Sequence, residues 1–417
     1  MWESTRRRGA HCPPCPLPNL RRRKLRWRRC RLLARNYCLG GRKETDRVIT
    51  PPATIRLLDA NGTLTEHETY SPYLADLTDT DLVDLYRSMV LARHFDTAAT
   101  NLQRHGELAL WVPLRGQEGI QAGTARALQA SDILVPSYRE QLLLRARGIT
   151  SAQILSLFRG ACHGGWDPVV TNTHVPTLVI GAQAHHAVGR AQALNFDAQA
   201  AGRSHPDRAV VVCFGDGATS QGDVNEAMVF AASTQAPVVF LCQNNGWAIS
   251  VPTTVQARVP IAARAPGFGI PSVRVDGNDP LASYAVLTQS LRRARSGGGP
   301  SFVEAVTYRM GAHTTSDDPT RYRTAAEEEA WAAKDPIARL ATFLRRRDLL
   351  DDARAAEIEE EGREVAAEAR AAIAAIDPGS PVSFFAHVTA LPHPLIAAER
   401  EWFTQFQASF SSEESSQ

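Results

Sequence analysis

Four apolar runs, separated by helical patterns, constrain the fold of this 417-residue chain more than any other feature. They are rich in β-branched residues and do not alternate between apolar and polar positions. This pattern is typical of strands that are covered on both faces of a parallel sheet. The runs are AVVVCF at 209–214, PVVFLCQ at 237–243, SVRVDG at 272–277 and SFVEAVTYR at 301–309. With helical patterns between them, at 222–234 and 280–296, they predict an α/β fold with a mostly parallel sheet flanked by helices.

Further patterns extend this prediction towards both ends of the chain. The segment TIRLLDANGTL at 54–64 predicts a short hairpin around Asn61-Gly62. A long amphipathic helix is predicted from the Thr and Asp residues at 78–81 to the glycine at 106. Other predicted helices cover 117–130, 150–160, 184–202 and the highly charged stretch 325–375. We divide the chain into a basic head (1–48), an N-terminal arm (49–77), an α/β domain with late helices (78–385) and a C-terminal tail (386–417).

The head differs in charge from everything that follows it. It holds fifteen Lys or Arg and three Asp or Glu, so the rest of the chain has 31 basic and 41 acidic residues and a net charge of −10. A body of that charge argues against nucleic acid as the main partner. We interpret the head as a disordered tail or a translated stretch upstream of the true start. The alternatives are an organellar transit peptide and a zinc site, although the spacing of Cys12, Cys15, Cys30 and Cys38 does not fit a zinc ribbon.

The cysteines outside the head do not suggest a disulfide framework. There are three, Cys162, Cys213 and Cys242, and two of them end apolar runs. This usage predicts a reduced, cytoplasmic protein with buried thiols, or a mitochondrial matrix protein if the head is a transit peptide. No run of about eighteen apolar residues predicts a membrane span.

Polar residues follow two of the predicted strands at the points where they end. Asp216 lies within Gly215-Asp216-Gly217 directly after the first run, and Asn245 follows the second. Ligands of parallel sheets bind beyond the carboxyl ends of the strands, so the two side chains can converge there. Their oxygens suit Mg²⁺, and glycines beside a following helix N-terminus suit a diphosphate. Each segment alone is also a good turn, but their combination, with one helix between them, is far more specific.

These segments resemble a known protein family. The Gly-Asp-Gly and Asn-Asn segments, 26 residues apart, are similar to the thiamine diphosphate motif. GDGATSQGDVNEAM, QNNGWAISVPT and YRMGAHTTSDDPTRYR resemble the alpha subunit of the thiamine diphosphate-dependent decarboxylating component of 2-oxo acid dehydrogenase complexes. The likeness runs from about Leu74 to Phe403. It implies a thiamine diphosphate-binding α/β fold with helical N- and C-terminal extensions.

The resemblance also implies roles for individual residues. Asp216, Asn245 and the backbone carbonyl of Trp247 would bind Mg²⁺. Tyr138 and Arg139 match a pair that holds the diphosphate, for which a planar guanidinium is well suited. The remaining implied cofactor contacts come from Gly215, Gly217, Ala218, Gln221 and Ile180, the last of which would prop the cofactor in a bent shape. Gln221 and Gln243 stand where relatives often have charged residues.

His313 is implied to bind the cofactor and to transfer protons during reductive acylation of a lipoyl group. Its loop neighbours would order around the cofactor and the lipoyl arm; they are Ser316, Asp317, Asp318, Arg321 and Tyr322. His185 and His186 depart from the family pattern, where a proline is usual. Leu110 and Trp111 could line an acyl pocket or pack in the core.

One necessary group has no counterpart in the sequence. Thiamine chemistry requires a carboxylate beside the aminopyrimidine ring, and no segment resembles the domain that carries it. In the family this Glu comes from a separate beta subunit, so the resemblance implies an α₂β₂ assembly that also meets a lipoyl-bearing acyltransferase.

The substrate would be a small 2-oxo acid. HTTSDDPTRYR is closer to the branched-chain type than to the pyruvate type, which stays an alternative. A nucleic-acid-binding protein with a degenerate enzyme domain is the alternative from another class. Signatures of dinucleotide-binding and P-loop proteins are missing from the sequence.

Overall fold

The computed structural model describes residues 52–162, 164–377 and 379–414. A six-stranded parallel sheet lies at its centre. Its strands are β1 (Thr54–Ile55), β2 (Ile133–Val135), β3 (Val210–Gly215), β4 (Val238–Asn244), β7 (Ser272–Asp276) and β8 (Ser301–Val306). Across the sheet they lie in the order β1-β7-β8-β4-β3-β2. The remaining two, β5 (Trp247–Ala248) and β6 (Val251–Pro252), form a small antiparallel hairpin. The parallel sheet predicted from the four apolar runs is confirmed.

Thirteen α-helices lie in the described part of the chain. They are α1 (Asp79–Arg104), α2 (Glu118–Ala127), α3 (Gln141–Ala146), α4 (Ser151–Arg159), α5 (Pro168–Thr171), α6 (Ala182–Ala200), α7 (Gly222–Thr234), α8 (Thr253–Gln256), α9 (Pro280–Arg295), α10 (Ala325–Ala332), α11 (Pro336–Arg346), α12 (Asp352–Ala375) and α13 (Pro394–Glu414). The predicted helices correspond to α1, α2, α4, α6, α7 and α9, with ends that differ by a few residues. None of the described helices combines the length and apolar character that a membrane crossing requires.

Helices cover both faces of the sheet, which explains why its central strands are apolar throughout. On one face Val212, Phe214 and Phe240 pack against α6 and α7. On the other face Val211 and Leu241 pack against α2 and α9. Successive residues of β3 therefore pack in two different hydrophobic cores, so both faces of the strand require apolar side chains.

The helices α2 and α9 approach each other unusually closely. A Cβ on Gly123 of α2 would lie 2.6 Å from the Cβ of Ser283 and 2.7 Å from the backbone nitrogen of Tyr284. Only glycine permits this contact, because any larger side chain would push the two helices apart.

Two predicted elements differ from the observed ones. Residues 54–64 do not form a free-standing hairpin, because Thr54–Ile55 joins the edge of the main sheet beside β7. Only a turn and the isolated antiparallel bridge Leu58–Leu64 remain of it. The stretch 325–375 is helical but broken into three helices, since Asp335 and Asp351 cap new helices within it. The predicted tail at 386–417 includes the helix α13.

The domain boundaries stay a prediction. The head and its cysteines lie outside the described residues, and so do the interpretations placed on them.

A buried carboxylate joins the N-terminal arm to the sheet. Asp279 Oδ2 accepts hydrogen bonds from the backbone N–H groups of Leu57 at 2.7 Å and Leu58 at 2.6 Å. Its Oδ1 caps α9 by accepting from Leu281 and Ala282, both at 3.0 Å. Burial nevertheless raises the pKa of this carboxyl group to about 6. One side chain thus satisfies four backbone donors that would otherwise be buried without partners.

We expect Asp279→Ala to lower the free energy of unfolding by about 3–5 kcal/mol, because it removes a helix cap and orphans two further buried N–H groups. Asp351→Ala is the matched control, since Asp351 is an exposed Asp cap that accepts only from Arg354. Its expected cost is about 1 kcal/mol. Urea unfolding of the full chain compares the two, and equal losses would contradict the role assigned to Asp279.

Candidate active site

The polar residues of the site follow the carboxyl ends of neighbouring strands. Asp216 follows β3 and Asn245 follows β4, and these strands pair in parallel with Gly215 opposite Gln243. The segment after β2 brings Tyr138 and Arg139 to the same edge of the sheet. The strand β2 has only three residues and was not predicted from the sequence.

A cavity of about 240 Å³ opens at this edge. Ten of the eleven predicted site residues line it: Tyr138, Arg139, Ile180, Gly215, Asp216, Gly217, Ala218, Asn245, Trp247 and His313. Gln221 is the exception among them. It is exposed at the start of α7, where its carbonyl accepts a hydrogen bond from Asn225. The structure therefore brings the predicted metal ligands, phosphate contacts and histidine into one space.

The acidic side of the cavity holds a carboxylate that has no cation beside it. Asp216 is 1% exposed, and its Oδ2 accepts hydrogen bonds from Thr253 Oγ1 and Gln256 Nε2, both at 3.0 Å. Burial raises the pKa of this carboxyl group. Within the described chain no Lys or Arg forms an ion pair with Asp216, so its charge calls for a cation from elsewhere.

The two other predicted metal ligands lie beside Asp216 and are held in place by hydrogen bonds. Asn245 Nδ2 donates to Gln117 Oε1 at 2.9 Å, which fixes the orientation of the amide. The Trp247 N–H donates to Asn245 Oδ1 at 3.2 Å, and the Trp247 carbonyl accepts from Arg309 Nη1 at 3.2 Å. Each of these oxygens has a second lone pair, so the donor set of one carboxylate, one amide and one carbonyl fits Mg²⁺.

Two buried guanidinium groups lie at the cavity, Arg139 in its lining and Arg309 in contact with the lining residues Trp247 and His313. Arg139 donates to the carbonyls of Pro113 and His313, and Arg309 donates to the carbonyls of Trp247 and Ile249. Burial lowers the pKa of both groups, that of Arg309 to about 10. No carboxylate among the described residues lies within ion-pair distance of either guanidinium. Two buried cations without anions favour the binding of a polyanion.

The wall of the cavity also leaves room for a bound group. A Cβ on Gly215 would meet no atom within 4 Å, whereas one on Gly217 would lie 2.8 Å from the Cβ of Ala248. Gln117 lines the cavity and its Nε2 is buried without a hydrogen-bond partner. An unpartnered buried donor, a glycine cradle and uncompensated charges of both signs fit a metal diphosphate.

His313 lies between the two guanidinium groups. Its Nδ1 is 3.3 Å from Arg139 Nη2 and 3.3 Å from Arg309 Nη1. Its backbone N–H donates to Asp317 Oδ2 at 2.8 Å, and the same oxygen accepts from the hydroxyl of Tyr322. These bonds hold the loop after β8 so that the imidazole lines the cavity.

The surroundings of His313 keep its imidazole neutral. Burial and the cations Arg139 and Arg309 lower its pKa to about 4, although Asp317 acts in the opposite direction. The imidazole is therefore neutral at physiological pH, and its proton affinity is low as long as no anion lies beside the two guanidinium groups.

We expect the imidazole of His313 to titrate near pH 4 in the chain without cofactor, as followed by NMR. Arg139→Gln should raise this pKa, because it removes a cation 3.3 Å from the ring. Asp317→Asn is the matched variant, because it removes a negative charge near the ring, and it should lower the pKa of His313 further. A shift in the same direction for both variants would contradict the electrostatic explanation.

Several residues considered from the sequence lie away from the cavity. Trp111 is buried in the core, where it packs against Phe95 and Phe158, and its Nε1 donates to Asp96 at 2.8 Å. Leu110 packs against the same core. Trp111 is therefore a core residue and does not line the site.

The departures from the family pattern at His185 and His186 leave the backbone helical, since both residues lie in α6.

Residues that the sequence did not identify also line the cavity. Gln117, Glu140 and Gln183 belong to its lining, and Arg309, which does not, contacts His313. Glu140 is buried, accepts hydrogen bonds from Ser137 and Gln243, and has its pKa raised by burial. The sequence could have indicated Glu140 as a site residue, because it follows Arg139 directly in the segment after β2. Burial of its carboxyl group is visible only in the fold.

Comparison with known proteins agrees with this arrangement. The family model described as "Dehydrogenase E1 component" matches residues 86–378, which include all strands of the parallel sheet except β1, the residues that line the cavity and the loop of His313. The chain therefore belongs to the dehydrogenase E1 component family, whose members depend on thiamine diphosphate. The family predicted from the sequence is confirmed.

Two relatives show where the chain lies within this family. It is 44% identical over 320 residues to the 3-methyl-2-oxobutanoate dehydrogenase subunit alpha of Mycobacterium tuberculosis, covering 76% of this chain and 84% of the relative. It is 37% identical over 328 residues to the pyruvate dehydrogenase E1 component subunit alpha of Staphylococcus aureus, covering 78% and 84%. No finding favours the nucleic-acid-binding alternative.

Proposed function

We propose that this chain is the alpha subunit of a branched-chain 2-oxo acid dehydrogenase and binds thiamine diphosphate together with Mg²⁺. One observation carries the proposal. The cavity is lined by the buried carboxylate of Asp216, which has no cation, and by the buried guanidinium of Arg139, and the buried guanidinium of Arg309 contacts the lining residue His313. A magnesium diphosphate compensates both kinds of charge at once, which neither a neutral ligand nor a free metal ion achieves.

The residues of the chain divide the work of binding. Asp216, Asn245 and the Trp247 carbonyl hold the metal, while Arg139 and Tyr138 hold the diphosphate. When bound, the cofactor supplies the carbanion stabilisation that decarboxylation of a 2-oxo acid requires. Gly215, Gly217 and Ala218 let the backbone approach the diphosphate, and Ile180 lies at the cavity wall where it supports the bent cofactor.

His313 acts as the proton carrier. Its neutral imidazole lines the cavity, and the contact of its backbone with Asp317 fixes its position. The loop that contains Ser316, Asp318 and Arg321 stands beside it and is where the lipoyl arm of an acyltransferase would approach. We therefore assign acyl transfer to the lipoyl group as the step that depends most on His313.

A second chain completes the site. Among the described residues that line the cavity, Glu140 is the one carboxylate besides Asp216, and its oxygens already accept hydrogen bonds from Ser137 and Gln243. The acid that acts on the aminopyrimidine ring is therefore expected from a beta subunit, in an α₂β₂ assembly.

Two features support a branched-chain substrate. The loop sequence HTTSDDPTRYR resembles the branched-chain type, and identity is higher to the mycobacterial relative named for 3-methyl-2-oxobutanoate than to the relative named for pyruvate. Pyruvate is the second candidate, because the pyruvate dehydrogenase relative is still 37% identical.

We expect the full chain alone to be inactive, and the chain mixed with its beta subunit, Mg²⁺ and thiamine diphosphate to decarboxylate 3-methyl-2-oxobutanoate faster than pyruvate. Reduction of an artificial electron acceptor measures both rates. A preference for pyruvate would replace the substrate assignment and leave the rest of the proposal standing.

Activity of the isolated chain would overturn the two-chain site. In that case Glu140 would be the carboxylate that acts on the aminopyrimidine ring, and Glu140→Gln should abolish the activity of the isolated chain. In the assembled enzyme the same variant keeps its side-chain shape and is expected to retain decarboxylation, because the beta subunit supplies the acid.

A further inference from the structure

Three side chains with metal-binding atoms converge on the surface outside the cavity. His185 lies in the second turn of α6, and Asp223 and Glu226 lie three residues apart on α7. His185 Nε2 is 3.8 Å from Asp223 Oδ1 and 3.6 Å from Glu226 Oε2. One ligand atom from each of the three residues lies within 4.8 Å of the other two.

The two carboxylates have no other positive partner. In the part of the chain that the structure describes, neither Asp223 nor Glu226 forms an ion pair with Lys or Arg, and His185 is their only basic neighbour within 4 Å. The ring of His185 packs against Phe230, with centroids 6.5 Å apart, which limits its rotation. An oriented imidazole therefore faces two carboxylates that nothing else neutralises.

We propose that His185, Asp223 and Glu226 bind a divalent transition-metal ion of the zinc class. Bonds of about 2.0–2.2 Å at a tetrahedral centre place ligand atoms roughly 3.4 Å apart. The distances of 3.6 and 3.8 Å from His185 to the two carboxylates are close to this value, and all three ligand atoms lie within 4.8 Å of one another, so rotation of the side chains can close the site. The imidazole favours zinc over magnesium, which prefers oxygen ligands, and water would complete the coordination.

The site lies next to a wall of the cofactor cavity. Gly181 precedes α6, and a Cβ there would lie 3.1 Å from the Cβ of Gln221 and 3.6 Å from the Cβ of Asp223. The starts of α6 and α7 thus meet beside Ile180, which lines the cofactor cavity. A metal bridge between the two helices stabilises this wall of the cavity. The site uses none of the residues that bind cofactor, so the inference is independent of the proposed function.

Titration of the full chain with Zn²⁺ tests the proposal, in buffer with excess Mg²⁺ to occupy the Asp216 site. Calorimetry is expected to show one more equivalent of Zn²⁺ bound by the unmodified chain than by His185→Ala, which keeps the cysteines of the head, and this binding should raise the melting temperature by roughly 2–6 °C at a hundredfold excess over Kd. His185→Ala and Asp223→Asn should lose both effects. His186→Ala, which alters an exposed histidine next to the site, is the matched control and should keep both.

Two results would overturn the proposal. One is the absence of Zn²⁺ binding to the unmodified chain. The other is a Zn²⁺ stoichiometry that does not fall in His185→Ala and Asp223→Asn, because the ion would then occupy the magnesium site or the cysteines of the head. Circular dichroism of each variant confirms that its helices are intact before the comparison is made.

Discussion

His313→Ala is expected to slow acyl transfer to a lipoyl group by about 10²–10⁴-fold in the assembled enzyme, the usual range for a positioned acid–base group. The physical reason is the position of the imidazole, which lines the cavity as a neutral base between Arg139 and Arg309. Alanine removes the only imidazole that lines the cavity among the described residues. Single-turnover measurement with a lipoyl-bearing acyltransferase gives the rate directly.

A second readout separates a proton carrier from a structural loop residue. Reduction of an artificial acceptor bypasses the lipoyl group, so it should fall less than acyl transfer in His313→Ala. His186→Ala is the control, because His186 is exposed on α6 and outside the cavity. An unchanged lipoyl-transfer rate in His313→Ala would assign His313 a structural role only.

Asp216→Ala is expected to abolish Mg²⁺-dependent binding of thiamine diphosphate while the fold survives. The buried carboxylate has no cation beside it, and burial raises its pKa. A metal ion would compensate this buried charge, so the variant loses an electrostatic contribution to cofactor binding. Calorimetry with the beta subunit present measures the affinity, and unchanged affinity would remove Asp216 from the metal site.

Stability gives an independent check on the same residue. Asp216→Asn keeps the shape of the side chain but removes a buried charge that costs free energy in the absence of metal. Its melting temperature without ligands should equal or exceed that of the unmodified chain. The increase in melting temperature on adding Mg²⁺ and cofactor should disappear. Asp197→Asn, on the exposed side of α6, should retain that increase.

The sequence was most informative where a local pattern and a topological rule act together. A continuous apolar run predicts a central strand, and parallel strands end at one edge of the sheet. Asp216 and Asn245 could therefore be placed together from the sequence, although 29 positions separate them. The structure pairs β3 and β4 in parallel and places both residues in one cavity. His313 and Arg139 were reached only through the family resemblance.

Local patterns failed where distant segments compete for the same backbone groups. Residues 54–64 read as a hairpin by themselves, but Thr54–Ile55 pairs with β7 and Asp279 binds the N–H groups that follow. These partners lie about 220 positions along the chain, and nothing in the local sequence reveals them. Trp111 likewise had two interpretations, and its hydrogen bond to Asp96 in the core decided between them.

By itself, the sequence determined the fold class, the family and the strand ends that carry the proposed metal ligands, because hydrophobic periodicity and motif spacing are local properties. The tertiary structure alone decided which charges are uncompensated. Arg139 and Arg309 come from segments 170 positions apart, and both are buried with no carboxylate of the described residues in ion-pair distance. The same holds for His185, Asp223 and Glu226, which meet only because α6 and α7 pack side by side. Burial and convergence follow from packing between remote segments, and a one-dimensional pattern does not contain them.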